Sequence, residues 1–320
     1  MTSASSLTRA VGRGLRKLAG AQPERAYRLF DVTLKQRIQL SPSLSRLVFT
    51  GPDVARMHTL AADQRVKLFF PAADGSPPEL PNDLHWNEAR RALAEASRPP
   101  MRTYTIRALR REQAEVDIDF VLHGVNGPAS AWATHARTGD RLQILAPNLA
   151  FAGDPGGYEW NPPAGVRNIL LVGDETALPA IAGILETLAG QDDPPQVEAY
   201  VEVPLQQDCL ALRCNASTTL HWLPRDQQQR IQGQAMVHAV TQLATLPARR
   251  PPADTRLEEV DIDQQILWER ASASHQSFYA WVAGESAAVM QIRRFLINEQ
   301  GLDRNALTLM GYWRAGRTFE

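Results

Sequence analysis

The tetrad Arg102-Thr103-Tyr104-Thr105, inside "RPPMRTYTIR" (98–107), sets a guanidinium fork, an aromatic face and two hydroxyls within four residues. An arginine grips a pyrophosphate through paired N–H donors, a tyrosine ring lies flat against another aromatic system, and a threonine hydroxyl bonds a ring nitrogen. A flat, phosphate-bearing cofactor would use all three groups. The same residues also suit a solvated strand that follows the loop marked by Pro99 and Pro100. Strand alternation sends Arg102 and Tyr104 to one face and Thr105 to the other, so one ligand meets all three only if the strand bends there or the ligand crosses its edge.

A second candidate follows closely. "HGVNGPASAWA" (123–133) ends a strand and opens a helix, with Gly127, Pro128, Ala129 and Ser130 at the turn. Unpaired N–H groups at a helix N-terminus, beside small side chains, form an anion site. The plainer alternative is a helix start with Pro128 near the first position. An arginine clamp and a helix N-terminus together suit a dinucleotide.

In the second half, "LLVGDETALPAI" reads as strand, turn and helix, the topology of a nucleotide phosphate site. Gly173 stands alone, so the G-x-G-x-x-G fingerprint is absent. Asp174 and Glu175 would repel a phosphate, and Thr176 as N-cap would put Pro179 at the third helical position, where its missing N–H costs no bond. Helix start and cofactor loop, including Ala177, are both open readings of this turn. "WVAGES" places Ala283, Gly284 and Glu285 at another strand end, and "HWLPR" places Arg225 where a nucleotide ribose would lie. A guanidinium there would pair with a 2'-phosphate and favour NADPH over NADH, unless Arg225 is simply a surface residue. "GYWRAG" (311–316) brings aromatic and cationic side chains to the last strand.

The elements that must position these residues follow two grammars. From Tyr27 to about Asn148, six short segments rich in β-branched and aromatic residues are separated by turn residues: "YRLFDVTLKQRIQL", "SRLVFT", "RVKLFF", "RTYTIRAL", "EVDIDFVLHG" and "DRLQILAP". In "EVDIDFVL" Val116, Ile118, Phe120 and Leu122 alternate with Glu115, Asp117 and Asp119, as in an antiparallel strand with one buried face. Six such strands predict a small closed antiparallel barrel over 27–155. After the Pro/Gly-rich join "AGDPGGYEWNPPAG" (152–165), apolar strands alternate with amphipathic helices. Over 156–320 this predicts a doubly wound parallel sheet, whose ligand crevice lies at the strand C-terminal ends. A Gln- and Pro-rich excursion near 226–265, with one helix inside it, carries no assigned chemistry.

Bulk properties remove several classes of function. The chain has 320 residues, enough for two cores, and a formal net charge of -1, without the basic field of a nucleic-acid binder. No apolar run is long enough to span a membrane. Two cysteines, Cys209 and Cys214, are too few for a four-thiolate cluster, and no histidine pair has metal-ligand spacing. The first 26 residues carry Arg9, Arg13, Arg16, Lys17 and Arg25 against Glu24, with Leu7, Val11, Leu15 and Leu18 at helical spacing. Two glycines interrupt that helix and no apolar stretch follows, so a loosely docked basic tail and a cytoplasmic location are expected.

"MRTYTIR", "HGVNGPASAWA", "GDETALPAI", "WVAGES" and "GYWRAG", in this order, resemble the siderophore-interacting proteins, flavin-dependent ferric-siderophore reductases of the ferredoxin-NADP reductase superfamily. The resemblance spans about 27–316. It implies that Arg102, Thr103, Tyr104 and Thr105 hold FAD, with His123, Gly127, Ala129 and Ser130 completing that site. It implies that Asp174, Glu175, Thr176 and Ala177, with Ala283, Gly284 and Glu285, face NADPH or NADH. Lys67 in "RVKLFFP" and Arg314 match a cationic surface near the flavin, to which an anionic ferric siderophore would be drawn. The implied activity passes electrons from NAD(P)H through FAD to iron(III), with no acid, base or nucleophile in the protein. Members that accept electrons from ferredoxin leave that donor open. Alternatives are a flavin reductase with another acceptor and a non-enzymatic siderophore-binding protein.

Overall fold

The computed structural model describes residues 24–82, 85–122, 124, 127–228, 230–249, 260–272 and 276–317. The basic tail up to residue 23, the middle of the excursion and His123 lie outside the described residues.

Seven strands form the first sheet: β1 (Tyr27–Ser41), β2 (Leu44–Thr50), β3 (Arg65–Phe69), β4 (Met101–Thr105), β5 (Ala108–Arg110), β6 (Glu115–Val121) and β7 (Arg141–Pro147). Their order is β4-β3-β7-β1-β2-β6-β5, with every neighbour antiparallel. The strand count differs from the expected six because "RTYTIRAL" is two strands. At Ile106 and Arg107 the chain leaves β3, bonding instead to the carbonyls of Gln64 and Asp117, and re-enters beside β6. β4 and β5 are therefore opposite edges of the sheet joined by two residues, which requires the sheet to curl. The closed barrel is corrected too: no ladder among the described residues joins the edges β4 and β5, so the sheet is curled without closing.

The curl encloses Phe30, Leu47, Phe49, Val66, Leu68, Phe70, Val116, Ile118 and Phe120. The alternation expected in β6 is present, but its acidic face is not solvated. Asp119 takes two bonds from Arg46, at 2.7 and 2.9 Å, and Asp117 is paired with Arg110. Short helices α1 (Trp86–Ala92) and α2 (Pro128–His135) flank the sheet. The last carbonyls of α2, on Ala133 and Thr134, accept from the Arg37 guanidinium, a favourable place for a cation.

The second sheet contains β8 (Asn168–Gly173), β9 (Gln196–Val203), β10 (Thr218–Pro224), β11 (Trp268–Glu269), β12 (Phe278–Glu285) and β13 (Leu307–Trp313), in the order β10-β9-β8-β12-β13-β11. Five strands are parallel, as expected, while β11 pairs antiparallel with β13 and makes the sheet mixed. Two residues are too short for a periodic signal. Helix α3 (Leu178–Leu188) packs on one face with Ile169, Leu171 and Trp281. After a single-turn α4 (Arg225–Gln228), helices α5 (Gln234–His238) and α6 (Ser286–Arg294) cover Leu170, Val172 and Val282 on the other. No helix among the described residues is long and apolar enough to cross a membrane.

The sheets meet along a polar seam. Buried Asp208 accepts from Ser41 Oγ at 2.6 Å and from the Ser43 N–H at 2.9 Å, tying the β1–β2 turn to the second sheet. Arg107 is bound to Glu186 on α3, and a Cβ on Gly183 of that helix would lie 3.2 Å from Ala62. Helix α3 and the loop before β3 are thus in close contact there.

Candidate functional site

The first part of the site is the free edge of β4. Opposite Lys67 and Arg65 in the register stand Thr103 and Thr105, while Val66 and Leu68 face Tyr104 and Arg102. The alternation foreseen in the sequence is real, and β4 is an edge strand, so a ligand crossing it reaches both faces. The Arg102 guanidinium donates to the preceding Met101 carbonyl at 2.7 Å, and no carboxylate among the described residues pairs with it. Tyr104 packs 4.4 Å from the Phe120 ring, with Phe70 at 6.4 Å. Burial raises its hydroxyl pKa, so the phenol remains protonated. Thr105 is buried and Thr103 exposed.

Helix α2 starts as expected. Gly127 is its N-cap and brings no side chain to the helix start, with Pro128 in the first turn. A Cβ added to Gly127 would meet nothing within 4 Å, so open space lies at this N-terminus. Ala129 and Ala133 are buried in the aromatic core, and Trp132 stacks on Phe49 at 6.1 Å, so the helix cannot shift without disturbing the wall behind Tyr104. Ser130 Oγ donates to the Gly124 carbonyl at 2.5 Å and holds the turn. A guanidinium that no described carboxylate engages, an edge strand and a glycine-capped helix start fit a dinucleotide carrying an aromatic ring system.

The second part lies at the C-terminal ends of β8, β12 and β13, which buried Asp174 joins. Its Oδ1 accepts from the Thr176 N–H at 2.9 Å and from Thr176 Oγ1; its Oδ2 accepts from the Glu285 N–H at 2.9 Å and Trp313 Nε1 at 2.8 Å. The helix starts one residue later than Thr176 would set it, with Ala177 as N-cap and Pro179 at its second position. The cause is Asp174, whose carboxylate orders the turn in place of the threonine hydroxyl. Glu285 is equally engaged: Oε2 caps α6 through Ala287 and Ala288, and Oε1 accepts from Arg314 at 2.9 Å and the Ala315 N–H. Burial, reinforced by the neighbouring Glu175 charge, pushes the Asp174 carboxyl up to about 7.

An acid whose pKa is higher in the folded chain than in the unfolded one holds its proton more tightly when folded. Its contribution is complete in acid and is lost as pH rises from about 4 towards 7. The denaturation midpoint of the protein, relative to that of Asp174→Asn, is expected to fall across this window. A difference that stays constant with pH would refute the assignment.

Arg225 and Arg314 both project from strand ends, and both are ion-paired. Arg225 meets Glu175 through two bonds of 2.9 Å and Glu202 at 3.1 Å; Arg314 meets Glu285 and Asp263, each at 2.9 Å. Lys67 has no carboxylate partner among the described residues, and burial, with Arg65 and Arg90 nearby, lowers its pKa. Lys67 and Arg314 stand on different sheets. Arg65 spans the interval between them: its guanidinium lies 4.3 Å over Trp268, which stacks on Tyr312 at 6.0 Å.

Sequence reasoning missed this seam, including Asp63, Glu159, Arg65 and Trp268. Arg65 Nη2 and Trp268 Nε1 both donate to Glu159, and Asp63 accepts the Glu159 and Trp160 amides. Three separated segments, 63–65, 159–160 and 268, supply it, so no local spacing could signal it. Trp313 was within reach of the sequence, since "GYWRAG" was singled out.

The family model of the siderophore-interacting FAD-binding domain matches residues 33–151, and that of the siderophore-interacting protein matches 166–316. The chain is 28% identical to the ferric vibriobactin reductase of Vibrio cholerae, across 93% of each chain. It is also 28% identical to an NADPH-dependent ferric-chelate reductase of Escherichia coli, across 90% of this chain and 94% of that one. The crystal structure of a siderophore utilization protein from T. fusca superposes with a TM-score of 0.68 at 26% identity, covering 93% of this chain and 97% of that one.

Proposed function

The chain belongs to the siderophore-interacting protein family, and from that premise we propose that its two sheets form one electron path to a ferric siderophore. It is an FAD-dependent reductase of ferric siderophores that draws electrons from NAD(P)H. What supports the site assignment is the pairing of the Gly127-capped α2 N-terminus with Arg102, which no carboxylate among the described residues engages, on an edge strand. We take 27–155 as the FAD unit and 156–320 as the nicotinamide unit.

A nicotinamide donates two electrons as hydride and iron(III) accepts one, and bound FAD supplies the conversion between these steps. Arg102 would neutralise its pyrophosphate, with the start of α2, at Gly127, Ala129 and Ser130, beside it. Tyr104 would present its ring, held by Phe120, to the aromatic system, and the Thr103 and Thr105 hydroxyls would bond from across the edge. His123, from the family pattern, belongs to the same proposed set. The turn Asp174–Ala177 and the segment Ala283–Glu285 would face the nicotinamide nucleotide, beside Arg225. Lys67, with its charge unbalanced, would draw an anionic ferric complex, while Arg314 would contribute less because two carboxylates offset it. Reduction yields a softer ion of lower charge that hard oxygen donors hold weakly, so iron is released.

The test is an anaerobic titration of the purified protein with NADPH or NADH, followed by ferric siderophore and a ferrous chelator. A flavin band that bleaches and then returns as chelated iron(II) accumulates is the expected outcome. A band that only reduced ferredoxin bleaches would move the donor to that protein. Lys67→Ala should raise KM for anionic ferric complexes several-fold, and Arg314→Ala should do so less, with bleaching by NAD(P)H intact. Equal losses in both half-reactions would remove these residues from the substrate side.

A further inference from the structure

The geometry points to Glu175 as the residue that sets the choice of nicotinamide donor. We propose that it withholds Arg225 from the 2'-phosphate of NADPH, so that NADH and NADPH serve about equally. The inference rests on reading the strand ends of the second sheet as the donor site.

Arg225 stands where β10 ends, on the crevice side of a parallel sheet, which is where an arginine accommodates a 2'-phosphate in related topologies. Its fork is already occupied. Nη2 donates to Glu175 Oε1, and Nη1 is shared between Glu175 Oε2 and Glu202 Oε1. One guanidinium between two carboxylates leaves a net charge of about -1, so an arriving phosphate dianion meets repulsion, and the end-on pair of donors is already taken.

The two carboxylates are held differently. Glu202 is fully buried, and its oxygens also accept the Gly233 and Met236 amides at 2.7 and 3.1 Å, so the start of α5 fixes it without Arg225. Glu175 is held by side chains alone, Arg225 and Gln232. Removing the Glu175 charge would leave Arg225 anchored by Glu202, with Nη2 and one edge of the fork open.

The experiment measures binding of adenosine 2',5'-bisphosphate and of 5'-ADP to the oxidised, FAD-loaded protein by calorimetry. In Glu175→Gln the ratio of the two affinities should shift about tenfold towards the 2'-phosphate. In the double variant Glu175→Gln/Arg225→Ala it should return to the starting value. Glu175→Asp, which keeps the charge but shortens its reach, should move the ratio in the same direction by less, and it serves if the glutamine variant folds poorly. A Glu175→Gln ratio equal to that of the unmodified protein, or a gain that persists without Arg225, overturns the inference. Failure of the donor reading would look different, because neither nicotinamide would then bleach the flavin of the unmodified protein.

Discussion

Arg102→Ala is expected to fold and to lose its flavin. The side chain is not among the buried core and donates to the preceding Met101 carbonyl, so truncation removes no core packing and orphans no carboxylate among the described residues. What it removes is the charge-assisted pair proposed for the pyrophosphate. Such bonds contribute about 1.5–3 kcal/mol, which corresponds to roughly a 10- to 150-fold loss of FAD affinity. The variant should purify pale, with an unfolding midpoint close to that of flavin-free parent protein, and should recover its spectrum at high added FAD. Full flavin occupancy at the parent's affinity would place the pyrophosphate elsewhere. Arg102→Lys should recover the charge but not the fork, and only part of the affinity.

Gly284→Val is expected to disable the donor half-reaction while the flavin stays bound. Gly284 has φ +155, a conformation that side chains rarely adopt, and a Cβ there would lie 2.8 Å from Asp174 Oδ2. Backbone strain of about 1–3 kcal/mol would add to displacement of a buried carboxylate. That carboxylate holds both the Glu285 amide and the Trp313 indole, so all three strand ends would shift together. Bleaching by NAD(P)H should slow by about a hundredfold or more, since small misplacements in a reacting site cost that much. Dithionite-reduced protein should still pass electrons to a ferric siderophore. A variant with normal bleaching would show that the Asp174 latch lies outside the donor path, and loss of flavin would show that strain had spread to the first sheet.

These two positions differ in how legible they were. Arg102 stood out as a candidate from residue type and neighbours, because a guanidinium, a ring and hydroxyls within four residues form a local chemical pattern. The single-strand reading of "RTYTIRAL" failed nearby, since β propensity does not register a chain that changes pairing partner at Ile106. Arg225 was legible as a cation at a strand end and illegible as an occupied one. Its partners Glu175 and Glu202 come from other strand ends, 50 and 23 residues away.

By itself the sequence determined the two grammars, period-two strands and then alternating strands and helices, along with the ordered motifs that mark the family. Those properties are local: each depends on side-chain size, polarity and turn chemistry within about ten residues. Tertiary structure alone decided that β4 is an edge and that the sheet curls without closing. It also decided that Asp174 and Glu285 are engaged inside the fold, and that Lys67 meets no carboxylate among the described residues while Arg225 and Arg314 do. Pairing of charges depends on distances between segments far apart in the chain, and composition carries no such distances.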